Sequence, residues 1–317
     1  FCLTHRTSGI FQRFHFKDHI VHHLLCIHAL GASPSQLEKA YYNNTGYQLP
    51  TPPADLATIE TLGNPKEFAK HLGDSECYRS YVNFFKRLIS EHGVESVVNE
   101  YVFQEDARAD DMPQDVFGYV PGRAPKNYTY TKLGFLHPII HLGYGLEFNQ
   151  PLIVAEALAQ AAIHPDWPAR VLWGAEAAAK NRSKPAGRTL VEIFDEIREN
   201  PKLQNAVVWS DPSNKVTDGL YTRAAEEMIQ VAARWEVAPE DLRQKTAEMI
   251  NAGCRWAPDP RIHFRVLLIL AAHSVHDCPC PKVRESYQVR LLLHALRECL
   301  IFLLDIQPYT MDLNKSQ

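Results

Sequence analysis

The 317-residue chain has no apolar run long enough to span a bilayer: stretches such as 266–272 fall far short of the roughly 20 residues required. It also has no excess of either charge. Its 33 Lys and Arg against 37 Asp and Glu leave a net charge of −4 and a pI near 6.4. No local basic run makes up the difference, so nucleic acid is excluded as a partner, as is a membrane. Cysteine is sparse and odd in number. The seven, Cys2, Cys26, Cys77, Cys254, Cys278, Cys280 and Cys299, lack the spacing of a disulfide framework and predict a reducing, cytoplasmic setting. Cys278-Pro-Cys280 is one residue short of a redox or zinc knuckle and reads as a loop. Residues 1–16 hold no continuous apolar stretch of the kind a secretory signal needs. The nucleotide-binding and hydrolase fingerprints GxGxxG after a strand, GxxxxGK[ST] and GxSxG are missing, and so is a kinase signature.

Alternating strand patterns are missing too, and helical periodicity takes their place. Residues 18–30 predict a helix closed by Gly31, and Ser33-Pro34 supplies a cap and first turn for a second helix ending near Tyr42. After a loop at 43–53, helices are expected at 65–72 and 75–91, the latter with Tyr78, Tyr81, Phe84, Phe85 and Leu88 at three- and four-residue intervals and a stop at Gly93. A helix resumes over 94–103. Residues 106–130, rich in Asp, Pro, Gly and Tyr, read as a long loop that could serve as a lid or insertion. Helices at 152–163, 167–180, 189–199, 218–235, 239–251, 261–276 and 283–304 follow. The expected architecture is all-α: a single domain over 1–317, with one large core.

Histidine is what the chain has in plenty. There are 15, more than the 13 tyrosines or 14 phenylalanines, and they cluster. At about 100° per residue, His15, His19, His22 and His23 fall within one arc, with Cys26 and Leu30 inside it. Ile20, Val21, Leu24, Leu25 and Ile27 lie opposite, so both sides of this helix are expected to be buried. Buried imidazoles need partners, and a metal would satisfy several at once. Taken singly, each is more readily an interfacial histidine bonded to a carbonyl or carboxylate.

A second cluster lies in Leu136-His137-Pro138-Ile139-Ile140-His141-Leu142-Gly143-Tyr144-Gly145. His137 and His141, spaced i, i+4, stack on one helix face, and Pro138 marks the first turn. Neutral imidazole suits zinc, iron or copper, and two such helices meeting in a bundle core can hold a redox metal. No Glu follows His137, which sets aside the HExxH metalloprotease reading. Glu147 is the nearest acidic residue, either a ligand or an acceptor behind an imidazole, or simply a surface carboxylate. His273, His276 and His294 with Asp277 form a late group, but the acidic companions of an HD phosphohydrolase are not identifiable. Tyr144 and Phe148, with the earlier aromatic stripe, suit either a flat-ligand pocket or core.

The stretches His19-Ile20-Val21-His22-His23-Leu24-Leu25 and Gly134-Phe135-Leu136-His137-Pro138-Ile139-Ile140-His141-Leu142-Gly143-Tyr144-Gly145-Leu146-Glu147-Phe148 carry a likeness. With Tyr47-Gln48, His71-Leu72-Gly73 and Ala155-Glu156-Ala157-Leu158-Ala159, the chain resembles the questin oxidase family of fungal polyketide pathways. The resemblance implies an oxidoreductase of secondary metabolism that inserts oxygen into, and opens, an anthraquinone-type ring in a Baeyer–Villiger-like reaction with NADPH. It also implies a non-haem Fe(II) at the histidines, with O2 and a small aromatic polyketide as substrates. The expected ligands are His19, His22, His137 and His141, with His23 as the alternative to His22; His137 and His141 are the expected catalytic pair. The likeness fades in the C-terminal third. There the family pattern has an acidic-aromatic run before a helix histidine and a lysine in the last core helix, whereas this chain reads Arg261-Ile262-His263-Phe264-Arg265 and has no lysine over 288–304.

The competing reading is a non-catalytic or degenerate helical scaffold of the same family. Geometry separates the two. Histidine clusters more than about 10 Å apart, or facing solvent, cannot share an ion whose bonds to nitrogen are about 2 Å.

Overall fold

The first turn of chain reversal is set by a glycine. In the computed structural model, which describes residues 19–46, 53–103, 137–163, 169–183, 187–208, 210–211 and 216–256, helix α1 (His19–Ala29) ends as Gly31 takes φ +86°. Gly31 N–H bonds the His28 carbonyl and Ala32 N–H the Ile27 carbonyl, the paired bonds of a Schellman cap that only a residue at ease in the left-handed region closes cheaply. Ser33 then caps α2 (Pro34–Thr45) through a reciprocal box with Gln36, and Pro34 occupies the first turn.

Short helices follow, each opened by a side-chain cap. Asp55 caps α3 (Leu56–Thr61), absent from the sequence expectation, and Asn64 caps α4 (Pro65–Lys70), expected over 65–72. A single 3-10 turn, Ser75–Cys77, leads into α5 (Tyr78–Val98). Gly93, expected to stop this helix before it resumes over 94–103, does interrupt it: at φ +82° and ψ 159° it breaks the helical backbone for one residue, after which the helix resumes and passes into a π-helical turn, Asn99–Phe103.

Helices α6 (His137–Glu147) and α7 (Pro151–Ile163) form a tight antiparallel hairpin. Gly145 permits the close approach. A Cβ there would lie 2.8 Å from Val154 Cγ2 and 2.9 Å from the Val154 backbone nitrogen. α7 is the pivot of this part of the molecule, buried from Ile153 to Ile163 except at Glu156, with α5 and α6 packed on it and α1 against α2 and α6. The aromatic stripe of α5 is core: Tyr81, Phe84 and Phe85 are all but inaccessible and pack edge-on with Phe68 and Tyr101, while Tyr81 donates to the Phe68 carbonyl at 2.8 Å.

A second compact unit comprises α8 (Ala169–Lys180), α9 (Leu190–Glu199), α10 (Pro201–Gln204), α11 (Tyr221–Arg223), α12 (Ala225–Ala232) and α13 (Leu242–Trp256). Gly174 in α8 makes room for the Ile229 side chain of α12. Thr189 and Glu192 form a capping box on α9. Glu248 of α13 binds this unit together: one carboxylate oxygen accepts from Leu190 N–H at 2.5 Å and from buried Trp235 Nε1 at 3.1 Å, while the other pairs with Lys245. The helix expected over 218–235 is broken at Ala224, whose φ of −148° and ψ of 31° separate α11 from α12.

Among the described residues every regular element is helical, so the all-α expectation holds. None of these helices is long and apolar enough to cross a membrane. The segment 106–130, the helices expected at 261–276 and 283–304, Cys278, Cys280 and the late histidines lie outside the described residues.

Candidate functional site

Successive residues on a helix point about 100° apart, so α1 cannot turn both His22 and His23 toward the same neighbour. His22 is buried against α6, whereas His23 is exposed and accepts from Asn44 Nδ2 at 3.0 Å. The arc expected to be buried as a whole is thus divided. His22 faces inward and Cys26 is half-buried, while His23 and Leu30 face out, because α1 has neighbours on only part of its circumference.

On α6 the position opposite His22 is His141, which has no solvent exposure. His22 Nε2 lies 3.1 Å from His141 Nδ1, with the rings edge to face at 5.2 Å. Behind His141, its Nε2 meets the Glu156 carboxylate of α7 at 3.2 Å. Glu156 thus occupies the role considered for Glu147, and its side chain is only 15% exposed. The three groups form a chain consistent with one proton assignment. His141 Nε2–H donates to Glu156, which leaves a lone pair on Nδ1 to accept from His22 Nε2–H.

Tyr144, one turn beyond His141, stacks on the His22 ring at 4.9 Å and 17°, and Phe148 stacks on the outer face of Tyr144 at 6.1 Å. The Tyr144 hydroxyl and Cys26 Sγ are 2.6 Å apart, a second link between α1 and α6. Burial, and next the Cys26 contact, push the Tyr144 phenol above its usual range, so it stays a neutral hydroxyl. His22 is therefore held between an aromatic face and a second imidazole, with little rotational freedom.

Gln160 had no signal in the sequence, and the structure makes it conspicuous. It is buried, and neither Nε2 nor Oε1 meets a hydrogen-bond partner among the described residues. Leaving a buried amide unpaired costs about 1–3 kcal/mol per group. Gln160 follows Glu156 by four residues and so shares its helix face. In the hairpin register that sets Gly145 beside Val154 and His141 beside Glu156, Gln160 lies level with His137.

Two of the four expected ligands, His22 and His141, are thus in contact. His19 sits one turn before His22 in α1 and His137 one turn before His141 in α6, and the side chains of both lie outside the described residues. Two nitrogens each about 2.1 Å from one ion stand about 3.0–3.4 Å apart at bond angles of about 90–110°. The observed 3.1 Å falls in that range, and a carboxylate behind a histidine is the usual outer partner of a metal-bound imidazole. The donor types suit a divalent transition metal once His22 carries its proton on Nδ1 rather than on Nε2. Sequence spacing could locate each histidine pair, but the partners 119 residues apart, and Glu156 behind them, are matters of tertiary packing.

The profile of the questin oxidase-like family matches residues 16–258. The chain belongs to that family. It is 37% identical over 238 residues to a protein named Baeyer–Villiger oxidase from Paecilomyces divaricatus, covering 74% of this chain and 48% of the relative. An oxidoreductase of Aspergillus parasiticus is 34% identical over 79% of this chain and 50% of its own length, and a questin oxidase of Aspergillus terreus 34% identical over 74% and 49%. This questin oxidase-like chain thus spans about half the length of the curated relatives it matches. The matched span contains α1, α6 and α7, and with them the His22–His141–Glu156 chain.

Proposed function

We propose that this chain is an oxidoreductase of the oxygenase type, which inserts oxygen into and opens the ring of a polyketide-derived anthraquinone, with a non-haem iron held by His19, His22, His137 and His141. The observation that carries the reading is the buried 3.1 Å approach of His22 Nε2 and His141 Nδ1, with Glu156 on the far nitrogen of His141. The names of the relatives support the oxygenase class and the aromatic polyketide substrate. The separation test weighs against the scaffold reading, since His22 and His141 are buried together.

A ferrous ion bound there supplies the means to activate O2. The protein's own groups do the rest. Glu156 holds His141 in the tautomer that directs the Nδ1 lone pair toward His22, and Tyr144 fixes the His22 plane. Gln160 offers both a donor and an acceptor on the Glu156 face, matching the hydroxyl and carbonyl groups of a hydroxyanthraquinone. The apolar surroundings of α7 exclude water that would compete for these groups. The described residues contain no strand–glycine turn–helix unit of the kind that cradles a dinucleotide, and no step is assigned to NADPH.

The test is turnover of a hydroxyanthraquinone in oxygenated buffer with Fe(II), with and without NADPH, followed by mass spectrometry. The account expects an oxygen-enriched, ring-opened product, its loss in His141→Ala, and a roughly 10–100-fold slower reaction in Glu156→Gln. A His141→Ala protein that turned over normally would refute it.

A further inference from the structure

The turn between α4 and α5 carries a second set of metal-binding groups. Asp74 N–H bonds the His71 carbonyl at 3.1 Å, and Cys77 N–H bonds the Asp74 carbonyl at 3.1 Å. Gly73 at φ +75° and Asp74 in an extended conformation, as the cap of the 3-10 turn, reverse the chain between the two closures. The reversal brings together the side chains of His71, Asp74 and Cys77. Each offers one ligand atom, and the three atoms lie within 4.8 Å of one another.

The individual distances are more telling. Cys77 Sγ is 3.5 Å from His71 Nδ1 and 3.7 Å from Asp74 Oδ2. Thiolate, imidazole and carboxylate atoms on one tetrahedral zinc ion, at bond lengths of about 2.0–2.3 Å, stand about 3.3–3.6 Å apart. The groups are also held in place. Asp74 Oδ1 accepts Glu76 N–H at 3.0 Å, which turns Oδ2 toward the sulfur. Gly73, at φ +75°, donates its N–H to the Ala162 carbonyl at the end of α7, and Leu72 is buried beside it. Burial, and next the Asp74 carboxylate, push the Cys77 thiol up to about 11, so the thiolate forms only as the ion displaces its proton.

We propose that His71, Asp74 and Cys77 form a zinc-class site, distinct from the buried histidines, that takes a borderline divalent ion through Nδ1, a carboxylate oxygen and a thiolate, with one position left open. Binding exchanges the Cys77 thiol proton for the metal and releases it to solvent; no electrons move. One thiolate and one carboxylate neutralise the ion, and the neutral imidazole completes the set. The ion would clamp the start of α5 to the end of α4 at the turn bonded to the end of α7, the helix that bears Glu156 and Gln160.

Cobalt(II), a coloured stand-in for zinc, tests this. The full chain, stripped with a chelator, is titrated with Co(II) and then back-titrated with Zn(II). The expected result is a sulfur-to-cobalt charge-transfer band that zinc displaces and that saturates at one equivalent in His141→Ala, where the buried site is removed. The band should be absent in Cys77→Ser, weakened more than about tenfold in apparent affinity in His71→Ala and Asp74→Ala, and intact in His141→Ala. Circular dichroism on each variant confirms the helical fold, and Cys77→Ala serves if Cys77→Ser does not fold. A wild-type protein without a thiolate band, or a band that persists in both folded Cys77 variants, overturns the proposal. Because His141→Ala removes the buried site and leaves this one, failure here and failure of the oxygenase reading are separate results.

Discussion

At the scale of single residues, the site is a short relay of polar groups set into an apolar interior. Its members constrain one another: Glu156 orients His141, His141 faces His22, and His22 is pressed between His141 and Tyr144. Gln160 is the exception, a buried amide without a partner among the described residues. Gln160→Met should leave stability unchanged or raise it, because it removes, at nearly constant volume, an amide that has no partner among the described residues. If the amide meets the substrate, KM should rise by roughly 5–30-fold, with a smaller change in kcat. Chemical denaturation and steady-state kinetics on the same preparation check both halves.

At the scale of elements, the site depends on how closely α6 and α7 approach. Gly145→Ala places a methyl group against the Val154 backbone, which cannot yield as a side chain could. It should cost about 1–3 kcal/mol and, by shifting the hairpin, separate His141 from Glu156; a lowered denaturation midpoint together with reduced metal content would register both. The α9 capping box makes an acid-range prediction. Bonds from the Thr189 backbone N–H and then its hydroxyl hold the Glu192 carboxyl below its usual value. Its contribution is therefore present above the ordinary glutamate range near pH 4.3 and lost as pH falls through the lower folded value. Glu192→Gln keeps the box without titrating, so its urea midpoint should fall less than that of the wild type between about pH 5 and 3. Much at this scale was legible beforehand. Gly31, Ser33-Pro34 and the i, i+4 pair His137/His141 announce caps and faces through local chemistry, and α1, α2, α6, α7 and α9 lie close to where those signals put them. The interruption at Gly93 was legible too, whereas the break at Ala224 was not, because packing decides whether a helix stops or continues. Nor was the pairing of Glu156 with His141, since a glutamate in an alanine-rich helix looks like any solvated carboxylate until its neighbour is known.

At the scale of the molecule, the described residues form two helical units, and the His22–His141–Glu156 chain lies wholly within the first. Near-neutral charge suits the proposed substrate, which as a largely uncharged aromatic would gain nothing from a steering field. The chain spans half the length of its curated relatives, which makes the central question whether this half assembles the metal centre. The direct measurement is the iron content, by elemental analysis, of anaerobically Fe(II)-loaded and desalted protein for the wild type, His22→Ala, His141→Ala and His23→Ala. The account predicts close to one iron per chain in the wild type and in His23→Ala, and little in His22→Ala and His141→Ala. Iron that is absent from the wild type, or equal in all four proteins, would contradict it.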